Sequence, residues 1–229
     1  MTFSIAALCP RTGEYGCALA TSSMAAGGRA AFVAPGIGVV LSQARSDPRL
    51  GNLGVRRLEA GRSAEETLSD MVASTPHSAW RQLAVVDLKG RVAAFTGSEC
   101  TQAKGERLGR GAVAVGNGLA NDRVVGAVLE GFEAAEGKPL TDRLLAGLKR
   151  GLAAGGEAFP LRSASVKVAL PEVPFAPIDL RVDFSETPIA DLQRMWELWA
   201  PMVAGYVQRC LDPAASPPAA DIEGHLPKR

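Results

Sequence analysis

Histidine is scarce: the 229 residues include 2, His77 and His225. That argues against a histidine-rich metal site, and no metal or other cofactor is expected. Cysteine is thin as well. Cys9, Cys17, Cys100 and Cys210 are scattered without a CxxC pair, so neither a zinc knuckle nor a dithiol redox motif is encoded. No run approaches the roughly 18 uninterrupted apolar residues that a transmembrane helix needs, and no basic segment precedes a long apolar core near the start. The expectation is a cytoplasmic protein without a membrane partner. Excess charge is also missing: 25 Lys plus Arg against 24 Asp plus Glu leave a formal +1, no basis for nucleic acid as a partner. What remains is an ordinary globular composition, 47% hydrophobic and 21% charged. It is enough chain to bury a core as one domain, residues 1–211, with the Pro- and Ala-rich stretch 212–229 expected to be a flexible tail.

Hydrophobic patterning gives the order of elements. Thr2 to Leu8 and Tyr15 to Thr21 read as a hairpin bent at Pro10 and Gly13, and AAFVAP and GIGVVLSQA add two short strands. Helical spacing begins at Asn52, and a second helix is marked by Ser63 with Glu66 three positions on, a capping box. QLAVVDLKGRVAAFTGSE repeats the hairpin grammar and AVAVGNG is another strand. Asn121 or Asp122 caps a helix that Gly137 and Pro139 stop, Thr141 opens the next, and SASVKVALP and PIDLRVDFS close the sheet. DLQRMWELWAPMVAGYVQRCL reads as one amphipathic helix, about 189–211. Strands and helices in this order give an α+β fold, a four-layer αββα sandwich of two mainly antiparallel sheets.

Thr2 opens the first strand directly behind a methionine. A hydroxyl is a weak nucleophile until a base takes its proton. Were Met1 removed, the α-amine of Thr2 would be such a base, with an ordinary pKa of about 7.7 to 8.0, and no histidine would be needed. With Met1 attached, that nitrogen is an amide without a basic lone pair. Cells commonly remove methionine before a small residue such as threonine, so no self-cleavage is required.

The Thr2-led hairpin, GEYGCALATSS, VDLKGRVAAFTGSEC and AVAVGNGLANDRVVGAVLEGFE, followed by a helix and SASVKVAL, resemble the N-terminal nucleophile (Ntn) hydrolases. Within them, MTFSI, TGSEC and GNGLA resemble a bacterial group catalogued as domain of unknown function 1028, over roughly Met1 to Leu170. The resemblance implies the same αββα fold and hydrolysis of a small amide or peptide. It places Thr2 as nucleophile, Asn117 beside its amine or the oxyanion, Ser163 in the same neighbourhood, and Glu157 as a stand-in for an acidic residue. Two features of the wider pattern differ. Where proteasome-type members carry aspartate and lysine, this chain has Thr21 to Ser23 and Gly28 to Ala31, with Arg29 the nearby cation. A histidine usual after the TG..C element is Glu106 here.

Further candidates come from the residues themselves. Ser22 and Ser23, ending a strand before a Gly-rich loop, line a pocket or merely a turn. Gln43 and the backbone at Ala44 are candidates for an oxyanion hole, and Asn117 between glycines suits a ligand site or a plain turn. Arg45, Arg49 and Arg162 are candidates for a substrate carboxylate or for surface ion pairs. Trp196, Trp199, Met195 and Met202 form an apolar stripe that packs on the domain or on a second subunit, and a homodimer is expected. The leading reading is an Ntn-type amidohydrolase or peptidase for a small-molecule or peptide substrate. Its rivals are a catalytically silent binding or scaffold protein on the same fold, and a hydrolase using Cys100.

Overall fold

The structure is a computed structural model, described over residues 1–226. Two antiparallel sheets form its centre. Strands β1 (Thr2–Leu8), β2 (Tyr15–Thr21), β7 (Lys104–Gly109), β8 (Ala112–Asn117), β9 (Ser163–Ala169) and β10 (Ile178–Val182) make a six-stranded sheet in the order β10-β9-β2-β1-β8-β7. Strands β3 (Ala31–Ala34), β4 (Gly38–Ala44), β5 (Arg81–Asp87) and β6 (Val92–Thr96) make a four-stranded sheet in sequence order.

Alternation along the strands explains why the sheets stack. In β1, Phe3, Ile5 and Ala7 point to one side, where they meet Val128, Leu144, Leu145 and Leu148 of helices α4 (Val124–Ala134) and α5 (Leu140–Ala153). Ala6 and Leu8 point the other way, into a layer shared with Val39, Leu41, Ala84, Val86, Val113 and Val115 of both sheets. A third apolar layer joins Val40, Leu83 and Val85 of the smaller sheet to Leu50, Leu58 and Met71 of helices α2 (Pro48–Glu59) and α3 (Ala64–Ala73). Three apolar layers separate four structural ones, so the chain is an α+β protein with an αββα sandwich. Burying a Leu, Val or Phe side chain contributes about 1.5–3 kcal/mol, against about 1 kcal/mol net for a hydrogen bond. These layers therefore hold the fold.

Local signals in the sequence account for most boundaries. Ser63 and Glu66 form the reciprocal capping box, with Glu66 Oε2 accepting from the Ser63 amide at 2.8 Å. Helix α2 starts earlier than its apolar spacing indicates, because Asp47 caps it and Pro48 occupies the first turn, where a missing N–H costs nothing. A four-residue helix, α1 (Gly27–Ala30), lies in the Gly-rich loop. Pro201 breaks the expected terminal helix, leaving α6 (Pro188–Trp199), a 3-10 turn at Ala200–Met202 and α7 (Val203–Leu211). Both tryptophans of α6 face their own domain: Trp196 Nε1 donates to Asp142 Oδ1 at 2.9 Å and Trp199 Nε1 to the Pro177 carbonyl at 3.0 Å. Beyond residue 211, where a flexible tail is expected, a short helix α8 (Ala219–Ile222) sets Ile222 against Gly205 of α7; residues 227–229 of that tail lie outside the described residues. Among the described residues no helix is long and apolar enough to cross a membrane.

Candidate functional site

Thr2 opens β1, which runs between β2 and β8 in the middle of the larger sheet, and it is buried. The antiparallel register sets Asn117, the last residue of β8, opposite Thr2, while Thr21 closes β2 opposite Ser163, the first residue of β9. The smaller sheet contributes Gln43 from the end of β4 and Gln82 from the start of β5, paired across their ladder. One end of the inter-sheet layer thus collects the polar terminal residues of many strands.

These groups are bonded to one another. Gln82 Oε1 accepts from Asn117 Nδ2 at 2.9 Å and from Gln43 Nε2 at 2.8 Å. Ser4 Oγ donates to Gln43 Oε1 at 2.6 Å. Gln82 Nε2 donates to the Gly116 carbonyl at 2.8 Å and to Thr96 Oγ1 at 2.9 Å, and Thr96 in turn donates to Glu106 Oε2. Buried amides are tolerated when paired in this way. The network lies behind Thr2 and fixes the strand ends that frame it.

On the other side of Thr2 lies Met1. Its carbonyl accepts from Thr2 Oγ1 and, at 2.7 Å, from Thr21 Oγ1. Its side chain lies against Gly118, whose φ of 65° is in the left-handed region that favours glycine. A Cβ built on Gly118 would collide with Met1 Cγ and sit 2.7 Å from Met1 Cβ.

Glu157 completes this side. It is 7% exposed, its Oε2 accepts from the Ser22 amide at 3.0 Å, and its Oε1 is buried without a hydrogen-bond partner. An antiparallel bridge between Leu119 and Glu157 brings it here. Burial pushes the Glu157 carboxyl above its ordinary value, while hydrogen bonding from Ser22 and then the positive α-amine of Met1 pull it down. Ser163 Oγ donates to the Ser23 carbonyl at 2.7 Å, and the Ser23 amide donates to Thr21 Oγ1 at 3.1 Å.

Thr2, Asn117, Ser163, Ser22, Ser23 and Glu157 are brought together. Gln43 belongs to the cluster too, but its side chain is bonded to Ser4 and Gln82, which suits bracing rather than direct oxyanion binding. Ala44 ends β4 with a φ of 70°, opposite Arg81 in the ladder. The three arginines are occupied otherwise. The Arg45 guanidinium lies 4.1 Å from the centre of the Trp80 ring, Arg162 stacks on Phe184, and Arg49 pairs with Asp47 at 2.8 Å. Cys100 is buried in the turn between β6 and β7; its Sγ donates to the Arg81 carbonyl at 3.3 Å and desolvation raises its pKa, which disfavours the thiolate.

Sequence reasoning passed over Thr21 and Gln82 as site residues. Both were detectable: each is the polar member at the end of an apolar alternation, as Gln43 is. Wider concavities lie elsewhere. One of about 640 Å³ beside α4 and α5 is lined by Arg107, Arg123 and Arg150, but Glu130 neutralises Arg150 at 3.1 Å. Size alone does not single out a site; the convergence of buried polar groups on Thr2 makes it the candidate.

Among curated proteins none matches the chain. The crystal structure of protein SPO2555 from Silicibacter pomeroyi, a member of family DUF1028, is 33% identical, with a TM-score of 0.83 over 91% of this chain and 90% of that one. Anbu (ancestral beta-subunit) from Yersinia bercovieri is 12% identical, with a TM-score of 0.40 over 90% of this chain and 97% of that one, too distant to bear on the site. The model of the family of unknown function DUF1028 matches residues 2–192, and the chain belongs to that family.

Proposed function

We propose that the protein is an amidohydrolase or peptidase of the Ntn type, with Thr2 as nucleophile after loss of Met1. The observation that carries this reading is the position of Thr2: buried at the head of a central strand, its hydroxyl on a carbonyl, between Asn117 across the ladder and the Thr21 hydroxyl. In the cycle, the free α-amine of Thr2 takes the hydroxyl proton as Oγ1 adds to the substrate carbonyl. The C–N bond then breaks, the leaving amine carries the proton away, and water hydrolyses the ester. Thr21 Oγ1, already a donor to the Met1 carbonyl, is the hydroxyl best placed to meet the oxyanion. Asn117 and Ser163 hold the strand ends, and Gln43 and Gln82 brace Asn117 from behind.

A second reading is a binding protein on the same fold. It is favoured by the placement of two cations: Lys104 Nζ donates to the Gly97 carbonyl at 3.0 Å and Arg29 Nη1 to the Met24 carbonyl at 2.7 Å, so each is held on a backbone carbonyl. A panel of amide and peptide substrates, assayed with mature wild type and Thr2→Ala, separates the readings. Turnover by wild type alone supports the hydrolase; no turnover with ligand-induced stabilisation supports the binder, and equal turnover in both proteins overturns Thr2 as nucleophile. The exposed Met195, Leu198 and Leu211 on α6 and α7 suit a homodimer, which sedimentation equilibrium tests.

A further inference from the structure

Met1 displays what the site accommodates. Its carbonyl is bonded by Thr21 Oγ1 at 2.7 Å and by Thr2 Oγ1, and its unbranched side chain lies on the bare backbone of Gly118. Beside it, Glu157 holds one carboxylate oxygen to Ser22 and leaves the other buried and unbonded. A hydroxyl for a carbonyl, an open glycine for a side chain and an unpaired carboxylate therefore surround one small volume. An α-aminoacyl group offers the three complements on adjoining atoms: carbonyl, side chain and ammonium.

We infer that the acyl half of the substrate is an α-aminoacyl group with a free ammonium and an unbranched apolar side chain, bound where Met1 lies, with Glu157 on the ammonium and Gly118 beneath the side chain. This rests on the Thr2 reading. Met1 is a fair template because its carbonyl carbon is bonded to Thr2 N and lies next to Thr2 Oγ1. An acyl group esterified to Oγ1 is displaced only by the separation of two heteroatoms of the same residue.

Charge supports the assignment. An unpaired buried carboxylate is costly, and a ligand ammonium offsets that cost with a charge-assisted hydrogen bond. A substrate whose amine is acylated brings no such charge and adds bulk toward Glu157. Shape supports it too: an unbranched chain lies flat on a glycine, whereas a β-branched one presses a methyl toward the backbone of Gly118. The reaction balances as amide plus water to amino acid plus amine. The Thr2 amine carries the hydroxyl proton to the leaving nitrogen, water supplies the proton and hydroxide that release the ester, and no co-reactant is required.

The test uses mature protein lacking Met1 and three chromogenic anilides: methionyl, N-acetylmethionyl and valyl. Wild type is expected to cleave the methionyl anilide with a kcat/KM at least about tenfold above the acetylated one and about tenfold above the valyl one. Glu157→Gln should erase the first preference by raising KM. Equal cleavage of free and acetylated anilides overturns the inference. So does a Glu157→Gln loss of kcat that is the same for both, the signature of a carboxylate that only braces the Thr2 amine. A binding measurement separates the subsite from the catalysis. In calorimetry, Thr2→Ala lacking Met1 should bind methioninamide and not N-acetylmethioninamide. That selectivity without any wild-type turnover would sink the nucleophile and leave the subsite standing; binding of both alike, or of neither, sinks the subsite. Retention of Met1 in the purified protein fills the volume and overturns both.

Discussion

At one end of the layer between the sheets the inward positions are Ala6, Leu8, Tyr15, Cys17, Val39, Val86 and Val113. Two to six residues along the same strands, at the other end, they are Thr2, Ser4, Thr21, Gln43, Gln82 and Asn117. Alternation is unbroken throughout; only the chemistry of the inward residue changes. The apolar end needs no partner bonds and contributes stability through area. The polar end buries amides and hydroxyls whose bonds yield about 1 kcal/mol net each, less than the aliphatic side chains that would fit there. A sequence selected for stability alone would continue Val and Leu to the strand ends. That contrast makes the Thr2 end the candidate working one, and substitutions at the two ends should differ in what they change.

The largest effect expected is on activity. Thr2→Ala, with Met1 removed, should lower kcat at least about a hundredfold while the melting temperature barely moves, in a substrate assay paired with calorimetry. At the apolar end the pattern should reverse. Leu41→Ala is expected to cost about 2–5 kcal/mol in denaturant unfolding, with kcat of the remaining folded enzyme unchanged. Gln82→Leu affects both quantities: Asn117 Nδ2 and Gln43 Nε2 lose their shared acceptor, which should cost about 1–3 kcal/mol in the same unfolding experiment and lower kcat by letting the strand ends move.

Glu157 tests the polar end through pH. Its folded pKa is raised, chiefly by burial. A carboxyl raised in the native state contributes stability below its unfolded pKa of about 4.3 and loses it as pH rises through the folded value. Glu157→Gln should therefore gain on wild type as pH rises above about 4.3, read as a relative increase in melting temperature. A constant difference across that range would contradict the assignment. At the small extreme, Arg49→Ala should leave activity unchanged and cost at most about 1 kcal/mol in unfolding, because the Arg49 side chain is exposed and the buried Asp47 keeps its bond from the residue 49 amide and its pairing with Arg81 at 3.5 Å.

Much of this was legible in the sequence because strands and turns are local. The β1–β2 and β5–β6 hairpins carry regular alternation and turn residues, and Ser63 with Glu66 is a capping box by spacing alone. β7 was not legible: KGERLG is polar, sits at an edge of the larger sheet and shows no apolar period, so only its pairing with β8 makes it a strand. The break at Pro201 was legible, since proline removes a helix donor, yet the apolar spacing on both sides hides it. Site residues divide in the same way. Thr2 and Asn117 stand out by position and by flanking glycines. Thr21 and Gln82 carry a local mark as the polar ends of apolar alternations, but their partners, Met1 and Asn117, are remote in sequence and only the fold brings them into contact. Glu157 reaches the site through a single bridge to Leu119 after a loop, and only the family resemblance, not a local pattern, points to it.

The central claim is that Thr2 works with its own freed amine, and the intact mass of the purified protein tests it most directly. The account predicts a mass lower than that of the full sequence by one methionine residue, with Thr2 as the first amino acid; a mass that retains Met1 would contradict it.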